Sequence, residues 1–468
     1  MQPISFDYTF AIKQFTQDID RITHKILQNA IPNVLKAINE LRALRELGTI
    51  GFTDLHTNEP GIKKVKDTVQ RCQNWADTLV IIGIGGSSLG NKCIHMALNE
   101  YHGYFKGTGS CSTNRIFILD NLCAEDIASL LPQLDINKTV FNVISKSGTT
   151  MESIANFLIF YEIVKAQKKT ALNKHFIFTT TSGKGDLYNL AQKSGITCLD
   201  IPENVGGRYS VLSPVGLFSS AFAGLNIDAL LDGARNASDY CWLPSIETNP
   251  AAAAALIYYL YFTKNKKNTH VFWAYSSKLE ALCQWFSQLW AESLGKITPS
   301  KKTKNHVGQS PLATIGPRDQ HSLWQLYVQG PPDKIHTMLK INESPTDFTI
   351  PEDVPSFESF TTLKNCSINN IVTNEQQAIE FVLARNSRPF VRFDLPRIDE
   401  FHLGQLLLLL EFVTALTGLM LHVDPFDQPG VEEGKQMTYA LLNHPRYTHK
   451  LAEFHRLYSS CKTYGVVP

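Results

Sequence analysis

The sequence has almost no net charge, although it is long. It contains 44 Lys and Arg against 43 Asp and Glu, which leaves +1 over 468 residues. Without an excess of basic residues, no long-range field draws the chain to nucleic acid or to an anionic membrane, so we expect neither as a partner. Any site for a negatively charged ligand must therefore be built locally.

The chain also lacks paired cysteines and a targeting segment. Its nine cysteines are an odd number and include no C-x-x-C pair, which fits a reducing compartment. The first residues, MQPISFDYTF, have neither the basic start nor the apolar core of a signal peptide. The sequence therefore predicts a cytoplasmic location.

Metal-binding patterns and membrane spans are missing as well. No H-E-x-x-H motif or His/Cys cluster occurs, so we expect no metal site. The longest apolar segment, from Phe401 to His422, is interrupted by His402, Gln405 and Glu411. These interruptions favour a buried helix over a transmembrane helix.

A loop rich in small hydroxyl residues is the first feature that indicates chemistry. In the segment from Phe141 to Ser153, an apolar run typical of a buried strand ends in SKSGTT. A helix is predicted to follow, capped by Thr149 or Thr150, with the apolar stripe Ile154, Phe157, Leu158 and Tyr161. A helix N-terminus offers unpaired N–H groups and partial positive charge, which can hold a phosphate monoester. The candidate residues for this anion site are Ser145, Lys146, Ser147, Thr149 and Thr150, and an ordinary hydroxyl-rich cap is the alternative.

A glycine-rich loop follows an earlier apolar run, in TLVIIGIGGSSLGNK from Thr78 to Lys92. Serine stands where the dinucleotide fingerprint has its third glycine, and the G-K-[ST] ending of a P-loop is missing, which disfavours NAD and ATP. The loop allows the backbone to approach a small ligand, to which Ser87 offers a hydroxyl. A purely structural tight turn is the alternative.

Strand candidates alternate with helical stretches, which predicts an α/β protein with doubly wound parallel sheets. In the first half the further strand candidates are Arg115–Leu119, Thr139–Ile144, His175–Thr180 and Cys198–Ile201. In the second half a helix at Ala251–Phe262 precedes the strand candidates His270–Tyr275, His336–Ile341 and Pro389–Phe393. Ligands of such sheets gather at the carboxyl ends of the strands, where both loops above are expected to lie.

Two charged residues stand in informative places. Arg208 follows two glycines in GGRYS, ahead of a helix predicted to begin at Ser213, and is a candidate for stabilising developing negative charge. Glu292 lies four residues after Gln288, away from the apolar stripe of a predicted helix between Lys278 and Gly295. A solvated surface charge is the alternative for both residues.

Two further candidates lie later in the chain. His321, in GPRDQHSLWQL, is of the residue type whose pKa suits proton transfer near neutrality, although most histidines are structural. Lys435, in DPFDQPGVEEGKQM, is by itself a surface lysine.

Taken together, these motifs make the chain resemble the glucose-6-phosphate isomerase family, in its shorter bacterial form. Six segments occur in the family's order: GIGGSSLG, ISKSGTTMES, GGRYSVLSPVGL, QLWAESLGK, the His321 segment and FDQPGVEEGKQ. The GGRYS and FDQ-x-GVE-x-GKQ patterns are specific. SKSGTT alone marks any sugar-phosphate-binding domain of this fold.

The resemblance implies an architecture of two sugar-isomerase (SIS) domains with helical arms. The implied parts are an N-terminal arm at 1–50, a first SIS domain with the phosphate loop at 51–240, a second with Glu292 and His321 at 241–430, and a C-terminal arm with Lys435 at 431–468. Residues 8–48 are accordingly predicted to be helical. The resemblance also implies a homodimer in which His321 reaches the partner's active site, and an enzyme without a cofactor.

The resemblance further implies an activity, the interconversion of glucose 6-phosphate and fructose 6-phosphate through a cis-enediol. Glu292 resembles the base that moves the proton, His321 the ring-opening residue, Lys435 its helper and Arg208 the residue beside the enediolate. The residues that match the substrate contacts are Gly86, Ser87, Ser145, Lys146, Ser147, Thr149, Thr150, Gln288 and Gln428. Where many members carry Asn-Gly-Gln-His, this chain reads Arg-Asp-Gln-His, so the path of the loop before His321 stays open.

Two alternatives share the hydroxyl loop. The isomerase half of glucosamine-6-phosphate synthase normally follows a glutaminase with an N-terminal cysteine, whereas this chain starts Met1-Gln2. A sugar-phosphate-sensing regulator that binds without catalysis usually carries a DNA-reading helix or a partner domain, and it has no use for Glu292, His321 and Lys435 together.

Overall fold

The chain forms two compact units in the computed structural model, which describes residues 2–13, 21–167, 172–298, 305–461 and 465. The first unit is Met1–Pro425 and the second is Phe426–Pro468. All described strands lie in the first unit. The predicted domain boundaries near residues 50, 240 and 430 stay predictions.

Fourteen strands occur in the described residues. They are β1 (Ser5–Asp7), β2 (Thr78–Ile82), β3 (Glu100–Tyr101), β4 (Phe105–Lys106), β5 (Arg115–Leu119), β6 (Thr139–Ile144), β7 (Phe176–Thr180), β8 (Thr197–Asp200), β9 (Thr269–Ala274), β10 (Lys296–Thr298), β11 (Asn305–Val307), β12 (Ser310–Ile315), β13 (Lys334–Ile341) and β14 (Phe390–Leu395).

The described residues also form seventeen α-helices. They are α1 (His24–Glu46), α2 (Glu59–Gln73), α3 (Leu89–Leu98), α4 (Ala124–Leu130), α5 (Met151–Gln167), α6 (Leu172–His175), α7 (Gly185–Ser194), α8 (Pro214–Phe222), α9 (Ile227–Cys241), α10 (Pro250–Thr263), α11 (Glu280–Leu294), α12 (Trp324–Gln329), α13 (Glu358–Thr361), α14 (Ile368–Arg385), α15 (Glu400–Met420), α16 (Glu432–Leu441) and α17 (Leu451–Ser460).

The first sheet has seven strands in the order β3-β4-β5-β2-β6-β7-β8. Its five strands from β5 to β8 pair in parallel, and β3 and β4 extend one edge in antiparallel fashion. The central strands β2 and β6 are buried along their whole length, as their continuous apolar runs predicted. The chain leaves β2 toward one edge and β6 toward the other, so the crevice between these two strands is the topological switch point.

The second sheet has five strands in the order β1-β14-β13-β9-β12. Its strands β9, β12, β13 and β14 pair in parallel, whereas β1 is antiparallel to β14. The predicted fold class, an α/β protein with parallel sheets, is confirmed. The remaining two strands, β10 and β11, form a separate antiparallel pair.

The N-terminal segment differs from its prediction. Of residues 8–48, predicted to be helical, the described part contains a short 3-10 turn at Thr9–Ala11 and the helix α1, while residues 14–20 lie outside the described residues. Ahead of them, Ser5 pairs with Asp394, so the chain start adds an edge strand to the second sheet. In the predicted C-terminal arm, α16 and α17 are helical, and residues 462–464 and 466–468 lie outside the described residues.

The helix α15 runs through the core of the first unit. It is the one helix in the described residues that is long and apolar enough to cross a membrane, and its most apolar window is 100% buried inside the protein. It packs against α1, α9, α10 and α11. The prediction of a buried helix between Phe401 and His422 is therefore confirmed.

Candidate active site

The glycine loop and the hydroxyl loop lie side by side at one edge of the first sheet. Because β2 and β6 are parallel neighbours, with Ile82 opposite Val143, the loops that leave their carboxyl ends start next to each other. This edge is also the switch point of the sheet. The two loops therefore meet where α/β proteins bind their ligands.

The hydroxyl loop folds on itself at the start of α5. Ser145 Oγ lies 2.8 Å from Thr150 Oγ1, and Ser147 Oγ accepts from the Thr149 backbone N–H at 3.2 Å. Gly148 has φ +65°, the left-handed region that favours glycine, and this turns the chain into the helix. The carbonyl of Thr150 accepts from the Ile154 N–H at 3.0 Å, so the predicted helix start is confirmed.

The buried face of α5 differs in part from its prediction. Phe157 is buried as expected, whereas Leu158 is 52% exposed. The core contacts are made by Phe160 and Val164 instead. The stripe follows i, i+3 and i+7 from Phe157, which places Leu158 on the solvent side.

Lys146 adds positive charge to the hydroxyl loop. Burial is the main cause that lowers the pKa of its amine, and the charges of Lys184 and Arg208 lower this pKa further, while Glu203 raises it. Lys146, Lys184 and Arg208 thus place positive charge near the N-terminus of α5. Such an arrangement favours a bound anion.

The loop that carries Arg208 touches the glycine loop backbone to backbone. A Cβ placed on Gly86 would lie 2.3 Å from the carbonyl carbon of Gly207 and 2.7 Å from the Arg208 nitrogen. Only glycine fits at residue 86, and the close approach brings Ser87 beside the arginine loop.

Arg208 is buried and firmly held. Only 2% of its surface is exposed to solvent. Its Nε donates to Ser293 Oγ at 2.7 Å, its Nη2 to the Pro425 carbonyl at 2.6 Å, and its Nη1 to Glu292 Oε2 at 3.4 Å. The alternative of a solvated surface charge is therefore wrong for this residue.

Glu292 completes this cluster from the last turn of α11. Its Oε1 accepts from Gln288 Nε2 at 2.9 Å, and its side chain is 33% exposed. Gln288 in turn lies against the glycine loop, since a Cβ on Gly85 would be 2.9 Å from Gln288 Nε2. The structure thus brings together the glycine loop, the arginine loop and the Glu292 carboxylate. The carboxylate is partly open to solvent and forms an ion pair with Arg208.

The structure does not bring His321 to Glu292 within one chain. Arg318, three residues before His321, forms an ion pair with Glu280, the first residue of α11, at 3.0 Å. Glu292 stands twelve residues further along the same helix, which is about 18 Å along its axis. The turn that carries the histidine is therefore tied to one end of α11, and the carboxylate lies in the last turn at the other end.

The path of the loop before His321 is now defined. Residues Arg318–His321 form a 3-10 turn, in which Asp319 Oδ2 accepts from the Ile315 N–H at 2.7 Å and Gln320 Nε2 donates to the Tyr275 hydroxyl at 2.9 Å. His321 itself is exposed. The turn presents its ring to the surface of the first unit.

Lys435 and Gln428 belong to the second unit. Lys435 is exposed on α16, where its Nζ donates to Glu432 Oε1 at 2.8 Å. Gln428 precedes the 3-10 turn Pro429–Val431. Their part in the active site stays a prediction.

Sequence reasoning missed the groups that hold Arg208. Ser293 is fully buried and accepts from the guanidinium, and the carbonyl of Pro425 does the same. A signal for Ser293 was present, because it continues the apolar stripe of α11 after Phe286 and Leu289 and is the polar residue on that face. No comparable signal marks a backbone carbonyl.

Within the described residues, no group of three or more His, Cys, Asp or Glu is arranged to hold a metal ion.

Comparison with known proteins bears on this site. The sequence model of the phosphoglucose isomerase family matches residues 66–462. The chain belongs to this family. The matched range contains every residue proposed here for the site, from Gly86 to Lys435. The predicted family and enzyme class, an isomerase, are confirmed.

Relatives cover most of the chain. The glucose-6-phosphate isomerase of Carboxydothermus hydrogenoformans is 37% identical over 89% of this chain and 90% of its own length. That of Rubrobacter xylanophilus is 32% identical over 94% of this chain and 99% of its own length.

Solved structures of similar proteins share the fold. A Thermus thermophilus protein described only as hypothetical superposes with a TM-score of 0.82 at 33% identity, covering 94% of this chain and 99% of that one. A glucose-6-phosphate isomerase from Chlamydia trachomatis, with a TM-score of 0.80 at 20% identity, covers 98% of this chain and 92% of its own, and supports the fold alone.

Proposed function

We propose that this chain interconverts glucose 6-phosphate and fructose 6-phosphate. The observation that carries the proposal is the ion pair between the buried Arg208 and the partly exposed Glu292, with 3.4 Å between Nη1 and Oε2. The neighbouring glycine loop lies beside the hydroxyl loop, which is suited to bind a phosphate. A base next to a fixed cation suits a reaction that removes a carbon-bound proton and leaves negative charge on oxygen. The relatives named above carry the corresponding activity in their names.

In the proposed reaction Glu292 takes the C2 proton of the open-chain aldose. The C2–H electron pair forms a C1–C2 double bond, and the carbonyl pair moves to O1, which gives a cis-enediol after proton transfer. Arg208 stabilises the negative charge on oxygen. Return of the proton from Glu292 to C1, with loss of the O2 proton and formation of the C2 carbonyl, yields the ketose. The proton gained at O1 equals the proton lost from O2, so no cofactor or metal ion is needed to balance the reaction.

The phosphate group of the substrate is assigned to the hydroxyl loop. Ser145, Lys146, Ser147, Thr149 and Thr150 supply hydroxyls, a cationic amine and helix N–H groups. The sugar is assigned to Gly86, Ser87 and Gln288 at the glycine loop, and the family resemblance adds Gln428.

Ring opening is assigned to His321 and Lys435, acting as acid and base at the ring oxygen. Because the Arg318–His321 turn is tied to Glu280, which is about 18 Å along α11 from Glu292 in one chain, we propose a homodimer in which His321 of a second copy completes the site. The exposure of His321 at the surface supports this assignment.

We also propose a cytoplasmic location, without nucleic-acid or membrane partners. All nine cysteines are free, which supports a reducing compartment. The near-zero net charge supports the absence of polyanionic partners.

The test is incubation with fructose 6-phosphate, coupled to detection of glucose 6-phosphate. We expect turnover by the parent, unaffected by exhaustive chelation with EDTA, and a loss of at least ~10²-fold for Glu292→Gln, which keeps the size but cannot accept the proton. Glu162→Gln, which alters an exposed carboxylate on α5 that pairs with Lys165, is the control. Binding of fructose 6-phosphate without conversion would favour a regulator, and loss of activity with EDTA would contradict the metal-free mechanism.

A further inference from the structure

A buried row of polar side chains leads from the first sheet to the glycine loop. Asn91, His95 and Ser219 are 0% exposed, and Asn99 is 4% exposed. Asn91, His95 and Asn99 follow one another at intervals of four residues, so they lie on one face of α3. Asn99 is the C-cap residue of this helix. Ser219 reaches them from α8. These residues lie outside the site described above.

Short polar contacts run along the whole row. Asn91 Nδ2 donates to the backbone carbonyl of Ser87 at 3.0 Å, and Ser219 Oγ donates to Asn91 Oδ1 at 2.5 Å. His95 Nε2 lies 2.9 Å from Ser219 Oγ, and His95 Nδ1 lies 2.9 Å from Asn99 Oδ1. The glycine loop is thus tied through Asn91 to a network that water does not reach.

The orientation of the two amides in this row follows from their other contacts. The Asn99 Nδ2 donates to the Lys106 carbonyl at 2.8 Å, as the Asn91 Nδ2 does to a carbonyl, so both amide oxygens face the row as acceptors. The three contacts between these oxygens need three protons. Burial lowers the pKa of His95 to about 4, so near neutral pH its ring gives one proton and the Ser219 hydroxyl a second. Two protons thus serve three contacts, so two of the three are hydrogen bonds at any one time, and Ser219 supplies the one to Asn91.

We propose that Asn91, oriented by Ser219 and His95, is a positioning residue that fixes Ser87 for substrate binding. Gly86 packs on the arginine loop from one side, and Asn91 holds the following carbonyl from the other. Ser87 cannot shift without breaking one of these contacts. The inference rests on the proposed function, because the contact between Ser87 and the substrate is part of it.

The test measures kcat and KM for fructose 6-phosphate in Asn91→Ala and Ser219→Ala. A lost neutral hydrogen bond is worth about fivefold in an equilibrium constant, so KM should rise about fivefold in Asn91→Ala and by less in Ser219→Ala. In both variants kcat should stay within about twofold of the parent. Lys92→Ala is the matched control, because this neighbour on α3 binds Asp120 at 2.6 Å instead and should keep the parent's KM.

A double-mutant cycle separates positioning from mere stability. In a Ser87→Ala background, Asn91→Ala should change KM by less than about twofold, because it acts through Ser87. A lowered Tm with the parent's KM in Asn91→Ala and Ser219→Ala would overturn the inference, and Ser219→Ala decides alone if Asn91→Ala does not fold. An inactive parent would overturn the proposed function instead. Calorimetric binding of fructose 6-phosphate would then decide the positioning role, with the same fivefold loss expected.

Discussion

Arg208 is held by acceptors from distant parts of the chain. Ser293 lies 85 residues further along and Pro425 lies 217 residues further along, yet both accept from the same guanidinium. A buried charge without partners is costly, so these contacts make its burial possible. They also leave Nη1 directed at Glu292, which fixes the cation relative to the proposed base.

Ser293→Ala tests this alignment. The substitution leaves the Arg208 Nε–H without its acceptor, and a hydrogen bond to a charged group is worth ~1.5–3 kcal/mol. If that energy is used in the transition state, kcat should fall roughly 10- to 150-fold. Steady-state kinetics measure it, with Ser287→Ala as the control, since Ser287 on the same helix bonds only to the Cys283 carbonyl within the described chain. An unchanged kcat with a lowered Tm would mean that Ser293 serves stability alone.

Residue-scale prediction from the sequence succeeded where the signal was local. Gln288 and Glu292 were placed on one face by their spacing, and their side chains do meet at 2.9 Å. The burial of Arg208 could not be read in this way. Its partners come from segments that only the tertiary fold brings together.

At the scale of single elements, the hydroxyl loop combines a turn, a helix start and a cationic side chain. Its hydroxyls bond to one another and to the backbone N–H groups of Thr149 and Thr150. These contacts hold the loop in shape before any ligand arrives. A preformed anion site loses little conformational freedom when the anion binds.

The double variant Ser147→Ala with Thr150→Ala should bind substrate more weakly. Each charge-assisted hydrogen bond to a phosphate is worth ~1.5–3 kcal/mol, so KM should rise at least about tenfold. Inorganic phosphate should compete with fructose 6-phosphate in the parent and compete less in the variant. Ser194→Ala, which removes an exposed hydroxyl on α7, is the control. Parent-like binding by the double variant would place the phosphate elsewhere.

The strands show how far sequence patterns predict elements. The apolar runs at β5 and β6 gave the strand bounds directly, because buried parallel strands are apolar on both faces. Six of the described strands were not predicted, namely β1, β3, β4, β10, β11 and β12, and three of them, β1, β3 and β12, are edge strands of the two large sheets. β12 contains Pro311, which is tolerated at an edge and argues against a strand in sequence, and β1 is only three residues long.

Buried histidines in the second sheet should make the protein acid-sensitive. Burial lowers the pKa of His270 on β9 to about 3 and of His336 on β13 to about 4. An unfolded histidine titrates near 6.5, so between pH 6.5 and 4 the unfolded chain binds more protons and stability falls as the pH falls. For His336 the full effect is about 3 kcal/mol.

We therefore expect Tm to fall from pH 6.5 toward pH 5, before most carboxylates titrate. His336→Leu should have a flatter profile in this window than the parent. His24→Leu, which alters an exposed histidine at the start of α1, should keep the parent's slope. Identical slopes for the parent and His336→Leu would show that this histidine does not control acid stability.

At the scale of the whole molecule, both sheets contribute to one candidate site. The first sheet supplies the glycine and hydroxyl loops, and α11, which follows a strand of the second sheet, supplies Glu292. The same helix separates Glu292 from the Arg318–His321 turn, because the turn is tied to its other end by the ion pair with Glu280. We therefore propose that these two parts of one chain serve different sites.

Mixing two inactive variants tests whether sites are shared between copies. In a dimer of one His321→Ala chain and one Glu292→Gln chain, one site combines Glu292 and His321 from different chains and is intact, while the other has lost both. Random exchange of equal amounts makes half of the dimers hybrid, so about a quarter of the parent's activity should return. Each variant alone, unfolded and refolded in the same way, is the control. If His321 served the Glu292 of its own chain, no hybrid site would be intact and activity would not return.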